Sequence, residues 1–163
     1  MSTRVVVQDL ESTLADELER ASASLMAMLQ SDSPNANGSA GYRRTELQDR
    51  IRFLGSLLAG LEHVDPAHVR RNRVGLGSAV RAREIQSEDL HSFLVVPFDL
   101  ADGTPDKVTP ASPIGQAMLG AKQGDVLEIA TPVRTRVMRI EQVVTIWDAL
   151  DRWRLDSSIR RTA

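Results

Sequence analysis

The chain has 163 residues, enough for one ordinary domain or two small ones. It contains no cysteine, which excludes disulfide staples and thiolate metal sites, and no apolar run approaches the ~20 residues of a membrane-spanning helix. The formal net charge is −2, so overall charge does not point to nucleic acid; the basic residues are almost all Arg, with Lys107 and Lys122 the only lysines, a bias that genome base composition explains better than chemistry. The N-terminal stretch lacks the apolar core of a secretory signal, and the expected location is cytoplasmic.

In chain order, the first element is a helix over residues 8 to 30. Leu10, Leu14, Leu18, Ala21, Leu25 and Met28 recur at spacings of four or three and fall on one face. A turn-rich stretch, "SDSPNANGSAGYRR", follows at residues 31 to 44. The second helix, residues 45 to 62, carries Leu47, Ile51, Leu54, Leu58 and Leu61 at coiled-coil spacing. In an antiparallel hairpin, facing residues have nearly constant number sums. Met28 with Leu47, Leu25 with Ile51, Ala21 with Leu54, Leu18 with Leu58 and Leu14 with Leu61 all sum to 75 or 76. The chain is therefore expected to reverse at Asn37 and Gly38, a strong turn dipeptide. Pro34 is expected to stop the first helix, and Thr45 with Gln48 to form a capping box opening the second. The first helix is mainly acidic (Asp9, Glu11, Asp16, Glu17, Glu19), and the second carries Arg43, Arg44, Arg50 and Arg52. Arg50 and Arg52 flank the seam and read as a solvated face. The narrow apolar stripe favours a projecting arm, roughly 33 Å long for some 22 residues, over a hairpin folded flat on a core.

The pattern then changes. Residues 67–75, with Arg70, Arg71 and Arg73, read as a linker. "GSAVRAREI" and "SFLVVPF" are short β-rich runs. "SPIGQAMLG" places Ile114, Met118 and Leu119 at helical spacing, with Ser112 as N-cap, Pro113 at the first helical position and Gly120 as the stop. "GDVLEIATP" and "RTRVMRIEQV" alternate like two antiparallel strands. The expected fold class is α+β: an N-terminal antiparallel coiled-coil hairpin (1–66), then a small globular domain (76–146) with a twisted antiparallel sheet and one short helix. A C-terminal extension (147–163) follows. Its Trp147, Leu150 and Trp153 suit a terminal segment packed on its own domain better than a free docking helix.

The run "SPIGQAMLGAKQGDVLEIATP", residues 112 to 132, resembles the Gre-factor family of bacterial transcription elongation and transcript cleavage factors (GreA/GreB). Members typically carry Ser-Pro, a small residue, a Leu-Leu/Ile-Gly step, then Gly-Asp, an acidic β segment and Thr-Pro. The family architecture, a coiled-coil hairpin followed by an FKBP-like domain, matches the order of elements above. The resemblance implies a monomeric partner of bacterial RNA polymerase. The globular domain would sit at the rim of the secondary channel, touching it through Ser112, Pro113, Ile114 and Gly115, with the arm entering the channel. Some members have an acid before that Ser; here it is Ala111.

In the family, the arm tip delivers two carboxylates to the active-site Mg²⁺, a hard cation that binds anionic oxygen, and a second metal with an activated water drives phosphodiester hydrolysis. The family tip reads roughly Gly-Asp-Leu-x-Glu-Asn-Ala-Glu-Tyr. With its Tyr on Tyr42 and no gap, the Asp falls on Asn35, the Glu on Gly38, and the acid beside the Tyr on Gly41. The resemblance thus implies a Gre-factor homologue whose tip (Asp32, Asn35, Asn37, Gly38, Tyr42, Arg43, Arg44) keeps the hairpin length without the acids. Such a protein would bind no catalytic metal, have no catalytic residue or cofactor of its own, and regulate transcription, by inhibition, without transcript cleavage. Arg43 and Arg44 could track phosphates near the RNA 3′ end.

Three alternatives stand beside this. A working cleavage factor would use displaced acids, Asp32 and Glu46, on opposite shoulders of the tip. A prolyl isomerase needs an aromatic-lined pocket, for which the globular part offers only Phe93 and Phe98. The tip could also be an ordinary turn without a role. His63, His68 and His91 show no metal-ligand spacing.

Overall fold

The computed structural model describes residues 3–31, 38–61 and 65–162. The expected turn at Asn37, the helix stop at Pro34 and the tip residues Asp32 and Asn35 lie outside the described residues. Helix α1, Thr3–Gln30, has no internal Gly or Pro, and it pairs with helix α2, Gly38–Gly60. Helix α2 begins seven residues before the expected start. Thr45 is therefore not a cap: its hydroxyl donates to the Gly41 carbonyl one turn back, at 3.2 Å. Gly38 and Gly41 each cost a helix about 1 kcal/mol relative to Ala, too little to end it once the seam beyond is packed.

The hairpin register also differs from the expected one. The helices end at Gln30 and Gly38, symmetrically about residue 34 rather than 37–38. Arg50 Nη1 lies 3.9 Å from Glu17 Oε1, a pair whose numbers sum to 67. Had the sums been 75, Arg50 would sit about eight residues, or ~12 Å, along the axis from Glu17, beyond its reach. The two registers differ by one heptad, and an a/d repeat presents a leucine seam in both.

The globular half is a five-stranded sheet. Strands β1 (Ala79–Glu84), β2 (Leu90–Val95), β3 (Lys107–Val108), β4 (Val126–Ala130) and β5 (Thr135–Val144) are arranged β3-β2-β1-β5-β4. All neighbours are antiparallel except β2 and β3, which pair in parallel through two residues at one edge. The alternation turns Val80, Ala82, Phe93, Val95, Ile129, Met138 and Ile140 inward. Helix α3, Pro113–Met118, lies against β4 and buries Met118 among them.

The stretch between arm and sheet is packed. A 3₁₀ turn, Pro66–Val69, is capped by Asp65 and touches α1, and Val69 and Val74 are buried. Helix α4, Ile146–Thr162, opens with a reciprocal cap: Thr145 N–H donates to Asp148 Oδ2 at 2.9 Å, and Asp148 N–H returns to Thr145 Oγ1 at 3.3 Å. Its Ile146, Trp147 and Leu150 are buried, the Trp147 indole N–H donates to the Val69 carbonyl at 2.8 Å, and α4 touches α1.

One continuous core results. Leu10, Leu14, Leu54, Leu57 and Leu61 from the arm base join Val69, Val74, Ile146, Trp147, Leu150 and the inner face of the sheet. Ala21 and Leu47 are buried in the helix pair but stand apart from this core. The projecting part of the arm therefore begins near Leu18, and from there to Gln30 it spans ~20 Å, shorter than the whole hairpin suggests.

Candidate functional site

The Ser-Pro loop is built by its own hydrogen bonds. Ser112 Oγ donates to the Thr109 carbonyl at 2.8 Å and accepts from Gly115 N–H at 3.1 Å, which caps α3 with Pro113 in its first turn. Gly115 is buried, and a Cβ there would overlap the Thr109 carbonyl. Ile114 is half-buried against the core, while Pro113 is exposed. Of the four residues matched to the family's rim contact, Ser112 and Gly115 shape the loop, Ile114 anchors it, and Pro113 is presented. Gly120 ends the segment at φ +81°, as its expected stop role requires.

The described part of the arm tip starts at Gly38, which opens α2; it is followed within the helix by Tyr42, Arg43 and Arg44. Tyr42 is 77% exposed, and Met26 and Leu29 of α1 also stand in solvent. Between Ala21 and Thr45 the only charged residues are Asp32, Arg43 and Arg44. Glu46, one of the two displaced-acid candidates, sits on the third turn of α2 and holds Arg50 at 3.3 Å.

Arg50 departs from the expected solvated face. Its side chain is only 15% exposed and packs between Glu17 and the Trp153 ring, 4.7 Å from the ring centroid. Glu17, expected on the acidic outer face, is buried and also pairs with Arg20 at 3.0 Å. A helical wheel gives the physical reason: Glu17 lies seven residues after Leu10 and four before Ala21, on the seam itself.

A second polar cluster escaped the sequence reading. Glu84 is buried at the end of β1, with Arg134 Nη2 at 3.0 Å, Arg136 Nη2 at 3.1 Å and His91 Nε2 at 3.5 Å. Strand alternation was the available signal, since Glu84, His91 and Arg136 all take inward positions. Burial pushes the Glu84 carboxyl up, but the Arg136 hydrogen bond and the charges of Arg136, Arg134 and His91 outweigh it and leave it below the usual carboxylate range. Asp102 is held well below that range by hydrogen bonds from Thr104 and Lys107, and Glu141 is lowered by its hydrogen bond from Arg83. These carboxylates are occupied by cations. Among the described residues no three His, Asp or Glu side chains gather as a metal site, and no helix is long and apolar enough to cross a membrane.

Comparison with known proteins finds relatives of the globular half. Residues 69–145 match the family described as transcription elongation factor, GreA/GreB, C-terminal. Transcription elongation factor GreA of Thermodesulfovibrio yellowstonii is 31% identical over 96 residues, 59% of this chain and 61% of that protein. GreA of Streptococcus gordonii is 32% identical over 97 residues, 60% of this chain and 61% of that one. The matched segment thus spans about three-fifths of these curated relatives. Among solved structures, the GreA factor homolog 1 protein of Thermus thermophilus shares 24% identity across 87% of this chain and 94% of that one, at a TM-score of 0.41. A GreA/GreB elongation factor from Nitrosomonas europaea shares 30% identity across 55% of this chain and 78% of that one, also at 0.41. From Val69 through the Ser-Pro loop to Thr145, residues 69–145 thus carry the C-terminal region of the GreA/GreB elongation-factor family.

Proposed function

We propose that this chain binds bacterial RNA polymerase at the rim of its secondary channel and restrains transcription without stimulating transcript cleavage. The observation that carries the reading is the tip sequence: from Ser33 to Thr45 there is no Asp or Glu, and the positions matching the family's acids hold Asn35 and Gly38. A neutral amide and a glycine do not supply the anionic oxygens that a second Mg²⁺ needs. The family match and the exposed Pro113 support docking at the rim. The nearly uncharged distal arm supports entry into a protein-lined channel, where unpaired charges would be costly. Occupancy of the channel then obstructs nucleotide entry, and Arg43 and Arg44 lie near enough to the tip to meet phosphates at the RNA 3′ end. The protein acts as a monomer in the cytoplasm and needs no cofactor. The displaced-acid alternative is weakened by Glu46, which is already held by Arg50 two turns beyond the start of α2.

The test is a stalled complex. Mixed with backtracked polymerase, the protein is expected to shorten the RNA no faster than polymerase alone, while slowing nucleotide addition. Asn35→Asp with Gly38→Glu should then introduce cleavage. Gly38 opens a helix, where Glu replaces the least favourable ordinary residue and sits at the positive end of the dipole, so the substitution is compatible with the backbone. Cleavage by the unmodified protein that Asp32→Ala abolishes would favour the displaced-acid mechanism instead.

A further inference from the structure

The apolar seam of the arm does not define its own register. At number sums of 75 or 76 it pairs Leu14 with Leu61 and Ala21 with Leu54. At 68 or 69 it pairs Val7 with Leu61, Leu10 with Leu58, Leu14 with Leu54, Leu18 with Ile51 and Ala21 with Leu47. Each of these pairs is apolar, but Leu25 and Met28, which meet Ile51 and Leu47 at 75 or 76, fall opposite Arg44 and Gly41 at 69. The heptad repeat lets a leucine seam mesh in either hairpin, although one helix is displaced by seven residues, ~10 Å, against the other.

Glu17 breaks the tie. It is buried on the seam, 1% exposed, and in the observed register its carboxylate meets Arg50 at 3.9 Å. In the alternative it would face Leu57 and Leu58, a buried charge against leucine, with Arg50 out of reach. Arg50 is itself held from outside the pair by Trp153 of α4 at 4.7 Å. Helix α4 is fixed to the globular core by Trp147 and Leu150. A residue from each of three helices, all of them outside the 69–145 family match, thus meets at the point where the arm leaves the core.

We infer that Glu17, Arg50 and Trp153 are positioning residues that select one of two heptad-equivalent registers of the arm and tie that register to the globular domain. The register sets where the chain reverses and moves the tip by about 5 Å along the arm, half of the seven-residue displacement. The inference rests on contacts within this chain and is independent of the polymerase proposal.

The cysteine-free sequence allows site-directed spin labels without background. Labels at Ala23→Cys with Thr45→Cys report the 68 register, and labels at Ala23→Cys with Arg52→Cys report the 75 register. All three positions are exposed. In the otherwise unchanged chain, pulsed dipolar measurements should give a single distance for each pair, the shorter for 23 with 45. Glu17→Leu with Arg50→Leu removes the selector while keeping an apolar seam, and such replacements of buried ion pairs are often neutral or stabilising, so the helices should persist by circular dichroism. In that background a second population should appear, lengthened for 23 with 45 and shortened for 23 with 52. Trp153→Ala should produce the same second population at a smaller fraction. Unchanged single distances in the helical Leu/Leu variant would overturn the inference, and so would a shorter 23-to-52 distance in the unchanged chain. No polymerase is present, so failure here leaves the docking proposal untouched.

Discussion

Trp147→Phe probes whether α4 is an integral part of the fold. Trp147 is 5% exposed, its indole N–H reaches the Val69 carbonyl at 2.8 Å, and the Arg71 guanidinium lies 4.1 Å from its ring centroid. Phe keeps a ring for Arg71 and for the core, but removes the buried donor and the second ring. An unsatisfied buried carbonyl costs about 1–3 kcal/mol. The lost ring carbons add about 1 kcal/mol of unfilled apolar volume. The expected loss is therefore ~2–4 kcal/mol, roughly 5–15 °C in Tm for a chain of this length. Urea unfolding followed by far-UV circular dichroism measures it without relying on the altered fluorophore. Trp153→Phe is the internal comparison: it keeps the ring over Arg50 in a half-buried place and should cost under ~1 kcal/mol. A Trp147→Phe loss below ~0.5 kcal/mol, with an unchanged m-value, would refute the view that α4 closes the core between arm and sheet.

Two further outcomes follow from the loop and the charge clusters. Pro113→Arg should leave stability within ~0.5 kcal/mol, because the side chain is exposed, yet weaken capture by immobilised RNA polymerase; Gly115→Ala should instead cost ~1–3 kcal/mol through overlap with the Thr109 carbonyl. Equal polymerase capture by the Pro113 variant would remove that residue from the interface. Glu84, Asp102 and Glu141 all have depressed carboxyl pKa values in the folded chain. Their stabilising effect is present above the unfolded carboxylate range, near pH 4, and is lost as pH falls through the lower folded values. Urea midpoints should fall below pH 4, and Glu84→Gln should flatten that fall by up to one proton's worth of slope; an identical pH profile would show that the cluster does not contribute.

Much of the molecule is written in local sequence. The helix pair follows from a three-four apolar repeat, the strands from alternation, and α3 from Ser112, Pro113 and Gly120, because each of these signals acts within a few residues. The missing carboxylates between Ser33 and Thr45 are likewise a property of the sequence alone. Helix α2 starts before its expected cap because a Thr in a good capping position is also compatible with a helix interior when its hydroxyl bonds back to Gly41. The tertiary structure decided what local patterns leave equal. It chose between two heptad-related hairpin registers, through the Glu17–Arg50 contact and the Trp153 ring over Arg50. It also shortened the free arm by drawing Leu10, Leu14, Leu54 and Leu57 into the globular core, and it laid α4 across the junction. Those outcomes depend on contacts between residues far apart in the chain, such as Trp147 with Val69, and neither a 3.6-residue nor a two-residue period carries information about them.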